Sequence, residues 1–190
     1  MKKWMYILLL LTVVLSGCNS KATEQKSDIK GIEDISLKQL SKYKNSYIGD
    51  NRAIGAILSN LPGNVIREYE IIDEKELKVT YGLKENGNYT EEQFDTFWFD
   101  KKDTIEKNYL YNALALFILI DNAEQVTLKI NSNDKQSVTF KRQELEKRLP
   151  HSFKEYQDDV ALWQKELVDG VVKSKEKRQD VYKSFPMQNK

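Results

Sequence analysis

Residues 105–120 constrain this chain more than any other stretch. Their second half, Ala113-Leu114-Ala115-Leu116-Phe117-Ile118-Leu119-Ile120, carries no polar side chain. A helix this apolar has no face suited to water, so other elements must wrap it on most sides. It is too short for a bilayer span, which needs about 20 apolar residues. Asn108, Asn112 and Asp121 also interrupt its edges. The expectation is a central core helix, opened by Asp103 and Glu106 as a capping box. A chain of 190 residues supports one domain of ordinary size around it, with tails.

The flanking pattern predicts what does the wrapping. Ser36 with Gln39 fits a capping box, and Ile35 with Leu40 fits the accompanying staple. Leu37, Leu40, Tyr43 and Tyr47 follow at helical spacing. Gly49 then suits a left-handed helix end, and Asp50 suits the cap of a second helix that buries Ala53, Ile54, Ile57, Leu58 and Leu61. Pro62-Gly63 turns the chain into two alternating segments, 65–72 and 76–83, joined at Asp73-Glu74-Lys75. Asn86-Gly87 signals a hairpin and hence a third extended segment. The alternative is that Thr90-Glu91-Glu92-Gln93 caps a short helix before Phe97-Trp98-Phe99. Val126, Leu128 and Ile130 face Val138 and Phe140 across Asn131-Ser132-Asn133-Asp134, a second hairpin. A short helix over 143–149 stops before Pro150, and Ser152 with Glu155 opens a last helix through Phe153, Tyr156, Val160, Trp163 and Leu167 that Gly170 weakens. Residues 173–190 hold six basic and two acidic residues and read as a fraying tail. The fold class is α+β: an antiparallel sheet of two hairpins packed on a central apolar helix, with N-terminal and C-terminal helices.

The N-terminus is of another kind. Met1-Lys2-Lys3 precedes an apolar run over 4–15 and then Ser16-Gly17-Cys18. A positive start, a short apolar core and small residues before a cut site make a secretory signal. Leu15-Ser16-Gly17-Cys18 resembles the bacterial lipobox, which implies that the Cys18 thiol takes a diacylglycerol and that the chain is cut before it. Residues 1–17 are then a lipoprotein signal peptide, 18–34 the lipidated Cys and a polar tether, 35–168 the domain and 169–190 a polar basic tail. Two acyl chains hold a protein on a membrane stably, because each buried CH₂ adds about 0.8 kcal/mol. The expected place is the outer face of the cell membrane.

Composition removes several classes of function. With 30 Lys+Arg against 29 Asp+Glu the chain has no basic excess, so no nucleic-acid partner is expected. One Cys and one His cannot build a Cys/His zinc site, and no metal or cofactor is expected. His151, beside Pro150, reads as a surface loop residue. Ser-x-x-Lys occurs four times, at Ser27, Ser41, Ser132 and Ser174, without the Ser-Asp-Asn or Lys-Thr-Gly partners its chemistry needs. Glu91, Glu92, Asp95, Asp158 and Asp159 lie in polar runs where solvation explains them, and no phosphate loop is present. The expectation is a chain without catalytic residues, a carboxylate-based hydrolase being the enzymatic alternative. Tyr89, Phe94, Phe97, Trp98 and Phe99 crowd one segment. Core packing is the plain explanation for them, while Tyr89, Phe97 and Trp98 are also candidates for a binding patch.

Three ordered pieces carry a family resemblance: Tyr47-Ile48-Gly49-Asp50-Asn51 followed by Leu61-Pro62; Asn112-Ala113 through Leu116-Phe117-Ile118-Leu119-Ile120-Asp121-Asn122; and Val126-Thr127-Leu128. Together they resemble domain-of-unknown-function family 4825, found in lipoproteins of Gram-positive bacteria, over roughly residues 43–140. The resemblance implies a location and a fold and carries no chemistry. Within its motif Asp50 and Asn51 are candidate binding residues, with a helix stop and cap as the structural alternative. The reading as a whole is a membrane-anchored, non-catalytic interaction or accessory domain for an envelope or membrane protein. The alternative is a lipoprotein that binds a small molecule or a cell-wall fragment.

Overall fold

The computed structural model describes residues 29–101, 103–131 and 136–189. The expected signal peptide and Cys18 lie outside the described residues. Ile29 is buried, the Lys30 N–H donates to Asn64 Oδ1 at 3.0 Å, and the Gly63 N–H donates to the Lys30 carbonyl at 2.9 Å. Residues 29–34 therefore belong to the domain and not to the tether expected over 18–34.

Helix α1 is short, Leu37–Leu40, and continues as a 3₁₀ turn over Ser41–Tyr43; the Ser36 hydroxyl caps it by accepting from the Gln39 N–H. The chain then leaves the helix, so Tyr47 does not join the buried stripe that its spacing suggested; it is the exposed exception, at 59%. The left-handed residue here is Asn45, φ +60°, and not Gly49. Asparagine is among the few side chains that adopt this conformation readily. Helix α2, Asn51–Ser59, is capped as expected, the Asp50 carboxylate accepting from the Arg52 and Ala53 N–H groups. Strands β1, Ile66–Ile72, and β2, Glu76–Tyr81, form the first hairpin, turned by Asp73 at φ +50° and Glu74 at φ +55°.

Asn86-Gly87 makes a turn but no hairpin. The Thr90–Gln93 capping box starts helix α3, Glu91–Phe99, which buries Phe94 and Trp98 one turn apart. That burial decides against the third extended segment. Helix α4, Thr104–Leu119, is the central apolar helix, and every residue from Tyr109 to Leu119 is buried. Asp103 makes no side-chain cap for it; its carboxylate goes instead to Lys107 and Arg178.

Strands β3, Gln125–Ile130, and β4, Gln136–Lys141, form the second hairpin. The two antiparallel hairpins join side by side through a parallel β2–β3 pair, so the sheet is mixed and not antiparallel throughout as expected; its order is β1-β2-β3-β4, with a short last strand, β5, Gln188–Asn189, beyond β4. A parallel pair needs a long crossover, and α3 with α4 supplies it. Leu77, Val79, Val126, Leu128, Val138 and Phe140 face the helices, while Lys78, Thr127 and Thr139 share a register row on the opposite face. The α+β class expected from the sequence is the one observed.

Helix α5, Arg142–Glu146, leads to α6, Phe153–Asp158, opened by the Ser152–Glu155 capping box. The expected single last helix is broken: Asp159 caps a new turn, α7, Val160–Leu162, which passes into a π-helical stretch, Trp163–Val172, through Gly170. Residues 175–184 are no fraying tail either. They form α8, Lys175–Ser184, with Arg178 fully buried and Val181 and Phe185 in the core, and the chain closes with β5, Gln188–Asn189, beside β4. The domain thus extends past the expected limit at 168, because Val181 and Phe185 add to the apolar core and Arg178 meets carboxylates on α4. No helix among the described residues is long and apolar enough to cross a membrane.

Candidate functional site

Two asparagines of α4 and of the loop after it tie the sequence motifs together. Asn112 Nδ2 donates to the Pro62 carbonyl at 3.0 Å and to the Tyr81 hydroxyl at 2.7 Å, inside the core. Asn122 Oδ1 accepts from the Ile48 N–H at 2.8 Å, and its Nδ2 donates to the Glu74 carbonyl at 3.3 Å. The first tie lies at the end of β1 where Lys30 enters, and the second lies at the far end, beside the β1–β2 turn. Seven strand residues separate these ends by about 23 Å. The sixteen residues of α4 run alongside for about 24 Å.

The far end holds a cleft of 670 Å³, lined by residues 73–76, 121–122, 124–125 and 141–144. Its back wall is organised by Arg142. The guanidinium donates from Nη2 to the carbonyls of Phe117, at 2.7 Å, and Ile120, and from Nε to that of Ala123, while the Phe117 and Phe153 rings lie 5.2 and 5.3 Å from it. A cation thus closes the negative end of the α4 dipole and satisfies carbonyls that a helix end leaves open. Burial lowers the Arg142 pKa, and Glu146 and Asp121 counter it.

Six carboxylates line the cleft, on Asp73, Glu74, Glu76, Asp121, Glu124 and Glu144, against the cations of Lys75, Lys141 and Arg142. Lys75 pairs with Glu124 at 2.7 Å, a contact that raises the lysine pKa, and Lys141 pairs with Glu144 at 3.5 Å. Gln125 donates to Glu76 and Gln157 donates to Asp121. Asp73 and Glu74 meet no side-chain partner among the described residues, so the outer wall is left acidic. No group of three His, Cys, Asp or Glu among the described residues is placed to hold a metal ion.

A smaller cluster forms where α6 begins. His151 Nδ1 is 3.2 Å from Glu155 and Nε2 is 3.7 Å from Glu166, and the Tyr156 hydroxyl donates to Glu166 at 3.1 Å. Burial, then the Glu166 carboxylate, pushes the Tyr156 hydroxyl above its usual range. A neutral phenol held this way donates a hydrogen bond and is no nucleophile.

The residues singled out in the sequence do not converge. Asp50 and Asn51 are exposed; Asp50 is the cap of α2, and the Asn51 carbonyl accepts from the Tyr69 hydroxyl. Tyr89 and Phe97 are half-buried, near Asn64 and against Trp98 respectively. Trp98 is fully buried, with Tyr81 4.9 Å and Tyr109 6.0 Å away between ring centres. That ring group is core. The cleft residues and Tyr47 were not singled out in advance. They come together only through contacts distant in sequence, and the one local signal was the pair of acidic residues in the 73–75 turn.

The family described as Domain of unknown function (DUF4825) matches residues 40–142, a span that holds nearly all of the cleft lining. No curated protein matches the chain, and no solved structure matches it.

Proposed function

The chain belongs to the family described as Domain of unknown function (DUF4825), and we propose that it works as a lipid-anchored, non-catalytic interaction domain for an envelope or membrane protein, on the outer face of the cell membrane. The observation that carries this reading is Leu15-Ser16-Gly17-Cys18, set behind Lys2-Lys3 and an apolar run. That order places the single thiol of the chain where a lipid would be attached. Ten residues, 19–28, lie in sequence between Cys18 and Ile29, the first described residue, so the two are at most about 35 Å apart. The cleft supports a binding role over a chemical one, since most of its polar groups are committed to one another or to backbone carbonyls.

In-cell crosslinking of the intact chain tests this. It is expected to yield one dominant product with a membrane-associated protein, and Cys18→Ala is expected to lose that product. Sustained turnover of a cell-wall or peptide substrate by the purified chain would overturn the non-catalytic reading. The cleft volume favours a second reading, a lipoprotein that binds a small polar molecule or cell-wall fragment, because pockets for such ligands span about 300–1,000 Å³. A saturable rise in melting temperature with a purified muropeptide, without any protein crosslink, would put that reading first.

A further inference from the structure

We infer that Asn86-Gly87, in the exposed turn between β2 and α3, is a self-modification site: the Gly87 backbone nitrogen displaces ammonia from the Asn86 side chain, and water opens the resulting ring to aspartate or isoaspartate. The inference is independent of the anchor and of the cleft.

The link from β2 to α3 is fixed at both ends and open in the middle. At its start the Gly82 N–H donates to the Val65 carbonyl at 3.0 Å, and Arg67 Nη1 donates to the Leu83 carbonyl at 3.3 Å. At its end Thr90 and Gln93 form the cap of α3. Between these points residues 84–88 are all exposed. Asn86 has φ +61°, and its side-chain amide meets no partner among the described residues. The Gly87 N–H donates to the Lys84 carbonyl at 3.1 Å, a bond inside the turn itself. Exposed bonds of this kind open locally at low free-energy cost, without unfolding the domain.

The chemistry needs only the two neighbours, a base and water. Gly87 has no Cβ, so its own side chain does not shield the nitrogen. Ring closure between adjacent residues is intramolecular, and well-placed groups of this kind react as if at roughly 10⁵–10⁸ M. Once base has taken the Gly87 amide proton, the nitrogen bonds to Asn86 Cγ. The Cγ–Nδ2 bond breaks, and the side-chain nitrogen takes up a proton and leaves as ammonia. A five-membered imide remains. Water then adds at Cγ or at the backbone carbonyl carbon of position 86 and breaks that carbon's bond to the Gly87 nitrogen, which regains its proton. The first route leaves aspartate in the original backbone. The second leaves isoaspartate, whose backbone is longer by one carbon. Either product adds a negative charge beside Glu85, and no oxidant or reductant is involved.

Other positions show what protection requires. Asn45 is the other left-handed asparagine among the described residues, with φ +60°. Its Oδ1 accepts from Lys154 Nζ at 3.1 Å, and the Ser46 N–H donates to the Leu119 carbonyl at 3.0 Å. Distant parts of the fold therefore hold both reacting groups. Asp169-Gly170 lies within the π-helical stretch, and its carboxylate is held by Gln164 and Lys173. Asn86-Gly87 has no such restraint.

The test is mass spectrometry of peptides from the full chain, purified in detergent and held at pH 7 and pH 9, with fragmentation that separates isoaspartate from aspartate. Conversion at position 86 is expected in the folded chain, faster at pH 9. It is expected to outpace conversion at Asn45 by at least about tenfold, the change that about 1.4 kcal/mol in a barrier gives. Gly87→Ala is expected to slow it, but its Cβ would lie 3.1 Å from the Lys84 carbonyl oxygen and press on the turn. Asn86→Gly suits the positive φ, leaves the turn intact and is expected to abolish the reaction. The same chain in urea gives the rate without the fold. Conversion in urea but not in the folded chain overturns the inference, because the turn then protects the pair. Conversion at position 86 no faster than at Asn45, or none in either state, overturns it as well.

Discussion

The two ends of α4 are each closed by an arginine that arrives from later in the chain, and they are closed differently. At the entry end Arg178 is fully buried, with Nη2 2.8 Å from Asp103, Nε 3.5 Å from Glu106, and Nη1 donating to the Val172 carbonyl. Positive meets negative there, inside the protein. At the cleft end Arg142 spends its donors on the Phe117, Ile120 and Ala123 carbonyls. The carboxylates around that end are left to line the cleft. The same residue type thus neutralises one end and leaves net acid charge on the other, and that asymmetry suits the first to packing and the second to recognition.

The entry end is the less tolerant, so the largest effect is expected there. Gly63 has φ +70°, and an added Cβ would sit 2.2 Å from Trp98 Cζ2. Gly63→Ala combines left-handed strain with overpacking and is expected to cost about 3 kcal/mol or to prevent folding, read by urea denaturation. At the cleft end Arg142→Met keeps the bulk and removes the donors. It is expected to cost about 2–3 kcal/mol, because buried carbonyls lose their partners. Arg142→Lys, which lacks the planar fork, is expected to recover less than half of that.

Acid separates the two latches. Burial works against ionising Asp103, but Lys107 and Arg178 outweigh it and hold its carboxyl below the usual 3.8. The stability Asp103 contributes is therefore fully present above that ordinary value and is lost as the pH falls through the lower folded one. Asp103→Asn is expected to be less stable than the parent at pH 7 and to lose less on acidification, in melting curves taken from pH 7 to pH 2. The Arg142 latch is made of carbonyl acceptors, which do not titrate, so the loss caused by Arg142→Met is expected to vary over the same range only through the neighbouring Glu146 and Asp121 carboxylates, and less than the loss at Asp103. A variation as large as that at Asp103 would blur the distinction between the two ends.

The smallest effect has the opposite sign. Glu74 is held at φ +55°, where glycine is at ease, and Glu74→Gly is expected to stabilise the chain by up to about 1 kcal/mol. An acidic side chain kept in a position that glycine fits better agrees with a role for its charge.

What the sequence made legible follows from the range of the interactions. The apolar run of α4, the Asp50 and Ser152 caps, the Pro62-Gly63 turn and both hairpins rest on neighbours a few residues apart, and they are where the pattern puts them. Asn86-Gly87 misled because its local turn preference was satisfied without a second strand, while the Thr90 cap and Trp98 burial decided what followed. Tyr47 misled because Asn45 ended the helical spacing early. Arg178 was indistinguishable from the other cations of its segment, since its partners Asp103 and Glu106 lie more than seventy residues away. The cleft was hidden for the same reason: its walls are three separate turns.

Metabolic labelling of cells with an alkynyl palmitate analogue tests the central claim, an anchored domain, most directly. The full chain is expected to carry the label and to fractionate with membranes, and Cys18→Ala is expected to lose both. An unlabelled full chain, or a Cys18→Ala chain that keeps the label, would contradict the account.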